Sequence, residues 1–123
     1  MGKPMKLIVA GGRDFTDSSR MDAELKNLVL NGTLPDEVEL VCGMARGADI
    51  TAYNLWKHVY QNPVHEFPAK WDTYAKSAGF IRNEEMAEFA DFLVAFWDGA
   101  SRGTRHMIET MKAKGKPVIV IRY

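Results

Sequence analysis

Short runs of consecutive apolar residues alternate along this chain with stretches in which apolar residues return every three or four positions. The first kind of pattern predicts buried strands and the second predicts one-faced helices. Leu7-Ile8-Val9-Ala10 reads as a strand that stops at Gly11-Gly12. Met21, Leu25, Leu28 and Val29 then recur at helical spacing, with Ser19 and Asp22 as a capping box and Gly32 at the C′ position. Val38 to Cys42 is a second strand. Ala48, Ala52, Leu55 and Val59 give a second helix one apolar face, and Pro63 stops it. Val64 to Phe67 is a weaker third strand, followed by a long connection over 68–80. Met86, Phe89 and Ala90 mark a third helix, and Arg82 stands at its start. Phe92 to Phe96 is an apolar fourth strand. Met107, Ile108 and Met111 face one side of a fourth helix closed by Gly115, and Pro117 to Ile121 is the last strand.

Five strands separated by helices predict a parallel sheet covered on both faces. The expected fold is α/β: a Rossmann-like three-layer sandwich with a mainly parallel five-stranded sheet, a single domain over 1–123. Strands one, four and five lack polar alternation, which predicts burial on both sides. In such a sheet the loops after the strands gather along one edge, where ligands bind.

Composition narrows the function classes. The 123 residues are 46% hydrophobic and 26% charged, close to globular averages, which argues against disorder. Sixteen basic and sixteen acidic residues balance to zero, which excludes a globally basic nucleic-acid coat but not a local anion site. A single cysteine, Cys42, excludes an internal disulfide and a multi-cysteine metal site. His58, His65 and His106 are scattered without ligand spacing, so no metal and no required cofactor is expected. No apolar run approaches a membrane span and no signal-peptide core follows the first residues, so a cytoplasmic setting without a membrane partner is expected.

The chemistry concentrates in the edge loops. They carry Gly11-Gly12-Arg13-Asp14-Phe15, Gly43-Met44-Ala45-Arg46-Gly47-Ala48-Asp49, Gly79-Phe80-Ile81-Arg82-Asn83 and Trp97-Asp98-Gly99-Ala100-Ser101-Arg102-Gly103-Thr104-Arg105. Five of the seven arginines lie here, whereas most lysines lie elsewhere. Glycine lets backbone N–H groups approach an oxyanion, helix starts add positive potential, and arginine adds bidentate donors. Asp14, Asn83, Asp98, Ser101 and Thr104 are candidates for ribose hydroxyls or base edges, and Trp71, Trp97 and Phe15 for stacking on a base. The same residues have plainer readings. The glycines suit tight turns, Asp14 and Asp49 suit helix starts, and the tryptophans suit a core. Neither G-x-G-x-x-G after strand one nor G-x-x-x-x-G-K-[ST] anywhere is present, and Cys42 and Arg46 are too close for the loop of a cysteine phosphatase.

Four of these runs, in register and in order over nearly the whole chain, resemble the YspA-type branch of the SLOG superfamily, which groups the Smf/DprA proteins with the LOG phosphoribohydrolases. They are Val9 to Phe15, Val41 to Asp49, Gly79 to Met86, and Phe96 to Gly99 with Ser101 to Thr104. The resemblance implies a Rossmann-like sheet with a pocket for a nucleotide or nucleotide-derived ligand. LOG enzymes carry an R-K-x-x-M run and later P-G-G-x-G-T-x-x-E. Arg82 and Met86 match the first, and Gly103-Thr104 match the G-T of the second. The LOG glutamate falls on Met107, and the P-G-G stretch is replaced by Asp98-Gly99 and a longer turn.

Three functions follow from this reading. The first is binding or sensing of a nucleotide-derived ligand. Gly11, Gly12, Gly43, Gly47, Gly103 and Thr104 would cradle phosphate, Arg13, Arg46 and Arg82 would balance its charge, and Asp14, Asn83 and Asp98 would read sugar or base. Phe15, Met44 and Ser101 complete the candidate binding set. The second is a LOG-like hydrolase releasing base from a nucleoside monophosphate, with Arg82 and Asp98 as catalytic candidates and Asp14 or Glu85 as substitutes for the missing acid. The third is single-stranded nucleic-acid binding, as in DprA. LOG-type relatives often associate, which leaves a homodimer open.

Overall fold

A computed structural model describes residues 4–123. The strands are β1 (Met5–Gly11), β2 (Val38–Cys42), β3 (Val64–Glu66), β4 (Phe92–Trp97) and β5 (Val118–Arg122). They form one sheet in the order β3-β2-β1-β4-β5, and every pairing is parallel. The helices are α1 (Ser18–Leu30), α2 (Ala48–Asn54), α3 (Trp71–Tyr74), α4 (Ala78–Phe89) and α5 (Arg102–Ala113).

The alternation of side chains along a strand builds the three layers. Leu7 and Val9 of β1 point into a core with Leu40, Val94 and Phe96 and with Met21, Leu25, Ala48 and Ala52 of α1 and α2. Ile8 and Ala10 point the other way, into a core with Val41, Leu93 and Ala95 and with Met86, Ala87, Met107, Ile108 and Met111 of α4 and α5. Both sheet faces are thus covered, which is why Leu7 to Ala10 of β1 and Phe92 to Phe96 of β4 read as continuous apolar runs. The chain builds outward from β1 to β3 and then returns to place β4 on the other flank of β1. That reversal opens a crevice between the carboxyl ends of β1 and β4. Gly11 pairs with Phe96 at its floor.

Several boundaries differ from expectation, each for a local reason. The cap of α1 is Asp17, whose Oδ1 accepts from the Arg20 N–H at 3.0 Å. Ser19 already lies inside the helix, and Asp22 instead accepts from the Tyr60 hydroxyl and Lys26. α2 runs on into a π-helical segment over Leu55–Tyr60, closed at Gln61 in the left-handed region. α4 begins at Ala78, a full turn before Arg82, because the 68–80 connection itself folds into α3 and a 3-10 turn over Ala75–Ser77. β5 is an edge strand and is not buried on both sides, and Val120 is 37% exposed there. Among the described residues, no helix is long and apolar enough to cross a membrane, and no group of His, Cys, Asp or Glu gathers to hold a metal ion.

Candidate functional site

The loops after β1, β2 and β4 meet the middle of α4 around a cavity of about 460 Å³ at the crevice. Its walls include Gly11, Gly12, Arg13, Asp14, Asp49, Arg82, Asn83, Asp98 and Ser101 to Thr104, and its floor is apolar, made by Ala10, Met86 and Met107. A second, outer cavity of about 740 Å³ adjoins it and shares Arg13, Ala45, Arg82, Asn83 and Gly103. Of these two cavities Gly43, Met44 and Arg46 line only the outer one, and Arg46 with Gly47 also lines a separate cavity beside α2.

The glycines divide by what surrounds them. A Cβ on Gly11 would overlap the Phe96 carbonyl oxygen, and one on Gly47, at φ +90°, would overlap the backbone of Gly12 and Arg13. Ala48 N–H donates to the Gly12 carbonyl at 3.1 Å, so these glycines let the start of α2 press onto the end of β1. Gly12 also gives way to the Tyr123 hydroxyl. Gly43 makes room for two functional groups: a Cβ there would lie 2.8 Å from Asp49 Oδ2 and 2.9 Å from Arg82 Nη1. Gly103 has nothing within 4 Å of a Cβ. The first bond of α5 runs from Arg105 N–H to the Ser101 carbonyl, so the N–H groups of Arg102, Gly103 and Thr104 precede its ladder.

The side chains sort differently from the sequence reading. Phe15 is buried and packs on Phe96 and Tyr123, each at 4.9 Å between ring centroids, so it is core and not a stacking platform. Trp97 is occupied as well. Its Nε1 donates to the Ser101 carbonyl at 3.1 Å, and the guanidinium groups of Arg105 and Arg122 lie over its ring. Asn83 is buried with its amide engaged. Its Oδ1 accepts from Arg82 Nε at 3.0 Å, and its Nδ2 reaches the Gly103 carbonyl and His106 Nδ1, each at 3.2 Å. It braces α4 and the guanidinium against the start of α5, which leaves the second lone pair of Oδ1 as the amide's remaining acceptor. Arg82 also donates to the Gly43 carbonyl, and burial lowers its pKa against the opposing pull of Asp49. Thr104 is buried with its hydroxyl 3.1 Å from that of Ser101. Met44 takes φ +60°, with its N–H turned to Cys42 Sγ.

The three carboxylates of the inner cavity are all engaged. Asp14 accepts from the Tyr123 hydroxyl at 2.6 Å. Asp98 accepts from the N–H groups of Ala100 and Ser101 at 2.8 and 2.9 Å, and these bonds hold its pKa below the usual carboxylate range. Such a carboxylate is a turn-former and a poor proton donor. Glu85 is exposed on α4 and lines neither cavity. Asp49 is the group the sequence reading undervalued. It is 7% exposed and accepts from Ala45 N–H at 3.2 Å, and burial pushes its pKa up to about 6 against the pull of Ala45 N–H and Arg82. Cys42 beneath it is buried, with its thiol pushed to about 12 by burial and by Asp49, which makes it unreactive.

The chain is 32% identical over 119 residues to the Gene 61 protein of Mycobacterium phage D29, across 93% of this chain and 94% of that protein. The chain belongs to the Gene 61 protein family. No family model matches it. In three dimensions this family member is similar to DNA processing protein A from Helicobacter pylori, a structure described for its single-stranded DNA binding mode. The TM-score is 0.66 at 18% identity, covering 98% of this chain and 66% of that one. The likeness is one of fold, and it agrees with the Smf/DprA side of the resemblance carried by the loop motifs.

Proposed function

We propose that this protein binds a phosphorylated nucleotide-type ligand in the crevice between β1 and β4, as a holding or sensing module of the YspA type. One observation carries the reading. The unobstructed start of α5 at Gly103-Thr104 lines the same cavity as Arg13, Arg82 and Arg102, while hydrogen bonds occupy Asp14, Asp49 and Asp98. Free N–H groups, helix-start potential and guanidinium groups on one space suit a phosphate. The apolar floor suits a sugar or base edge. Hydrolysis has less support, because Met107 stands on the floor where LOG enzymes carry glutamate and Asp98 is held ionised by backbone N–H groups. A second reading, binding of a single strand, is favoured by the fold likeness to Helicobacter pylori DNA processing protein A.

Thermal unfolding with AMP, ADP, ADP-ribose, NAD and unphosphorylated adenosine tests the proposal. A ligand at about a hundred times its dissociation constant adds about 2.7 kcal/mol of stability. At least one phosphorylated compound is expected to raise the midpoint by several degrees, and adenosine is expected not to. Arg82→Gln is expected to weaken that compound about ten- to a hundredfold. No response to any phosphorylated compound, or an equal response to adenosine, overturns the reading.

A further inference from the structure

We propose that the outer cavity is a shelf for a second nucleobase, so that the ligand carries two nucleotide units joined through phosphate. The inference rests on the phosphate reading above and extends it. The two halves of the crevice differ in charge. Three arginines in the inner cavity face three carboxylates, whereas Arg13, Arg46, Lys76 and Arg82 line the outer one with no Asp or Glu. Arg13 and Arg82 are shared with the inner cavity, so Arg46 and Lys76 are the added positive charge, and no carboxylate lines the outer part to offset them against a second anionic group.

The outer cavity also carries two large exposed aromatic rings, Trp71 at 54% and Phe80 at 49%. Phe80 is held in place by stacking on His106 at 4.3 Å and 21°. Trp71 stands on α3, a four-residue helix with no buried residue. Packing gives no reason to expose either ring, and both are the natural surfaces for a flat base. Gly79 ties the shelf to the phosphate site. A Cβ there would lie 3.7 Å from Trp71 Cη2 and 3.8 Å from Arg82 Nη2, so indole tip and guanidinium flank one bare point of backbone. A base on the indole thus brings its phosphate to Arg82, where the inner cavity begins.

Fluorescence titration of the intact chain with 5′-dAMP, the 5′-phosphorylated dinucleotide pdA-dA and a longer 5′-phosphorylated oligo(dA) tests the shelf. The dinucleotide is expected to bind about tenfold or more tightly than dAMP. Trp71→Leu and Phe80→Leu, both on exposed rings, are expected to remove most of that advantage and leave dAMP affinity unchanged. A further gain with the longer strand identifies a strand as the source of the two units, and equal binding identifies a free dinucleotide. If dAMP binds and the dinucleotide binds no better, or if Trp71→Leu weakens both alike, the shelf is refuted and the phosphate site stands. If none of the three binds, the shelf is refuted, and the phosphate site stands or falls on the thermal-unfolding panel above.

Discussion

The loop after β4 and the paired loops after β1 and β2 are equally rich in glycine, and Gly99 after β4 makes room for the Arg122 guanidinium, yet Gly103 beyond it does the opposite work to the glycines after β1 and β2. Gly11, Gly12 and Gly47 are filled positions, where the missing Cβ is replaced by a carbonyl, a hydroxyl or the neighbouring backbone. Gly103 is an empty one, with open space where its Cβ would stand. The first set joins β1 to α2 and makes the crevice rigid. The second leaves the crevice accessible. A glycine-rich loop is therefore not one kind of object, and only the surroundings separate scaffold from cradle.

Substitution breaks this comparison most directly. Gly47→Ala places a side chain at φ +90° against the Gly12 and Arg13 backbone. Denaturant unfolding is expected to show a loss of about 3 kcal/mol or more, because backbone cannot give way as a flexible side chain does. The next effect concerns the acid that Gly43 accommodates. Asp49 has a folded pKa of about 6 against an ordinary value of 3.8, so its protonated form is favoured in the native state. Its contribution is complete below pH 3.8 and is lost as pH rises to about 6. Asp49→Asn is therefore expected to be more stable than the parent above pH 6 by about 3 kcal/mol. The difference should vanish near pH 3.8, as unfolding curves across that range will show.

Gly103→Ala is expected to gain up to about 1 kcal/mol of stability from helix propensity. The same variant is expected to bind the phosphorylated ligand a few times more weakly, because the new methyl group stands at the α5 start. Opposite signs in unfolding and in titration would mark this glycine as cradle. A loss in both would erase the distinction drawn above. The smallest effect is expected for Asp98→Asn, within about twofold in ligand affinity, since an amide oxygen still caps the same turn. Base release by the parent that is lost in that variant would instead restore Asp98 as a catalytic carboxylate.

The strands and helix faces were legible because burial on both sides of a parallel sheet leaves uninterrupted apolar runs, as in Phe92 to Phe96. The gathering of Arg13, Arg82 and the Gly103 start on one edge was legible too, since loops after parallel strands must share it. Other roles depend on partners distant in sequence. Asn83 looks like a surface amide until α4 and α5 pack and enclose it between Arg82 and Gly103. Asp49 looks like an ordinary first-turn acid until Gly43 and Arg82 close over it. Phe15 reads as a base platform because nothing local announces that Phe96 and Tyr123 will cover it. α3 is too short for any periodicity to register.

Tyr123 spans from the end of the edge strand to the loop after β1, with its hydroxyl on Asp14 and its ring against Phe15. The bond makes the phenol a mechanical tie between sheet edge and crevice. A phenylalanine at this position would keep the ring against Phe15 and lose the bond to Asp14, loosening the loop without touching the sheet.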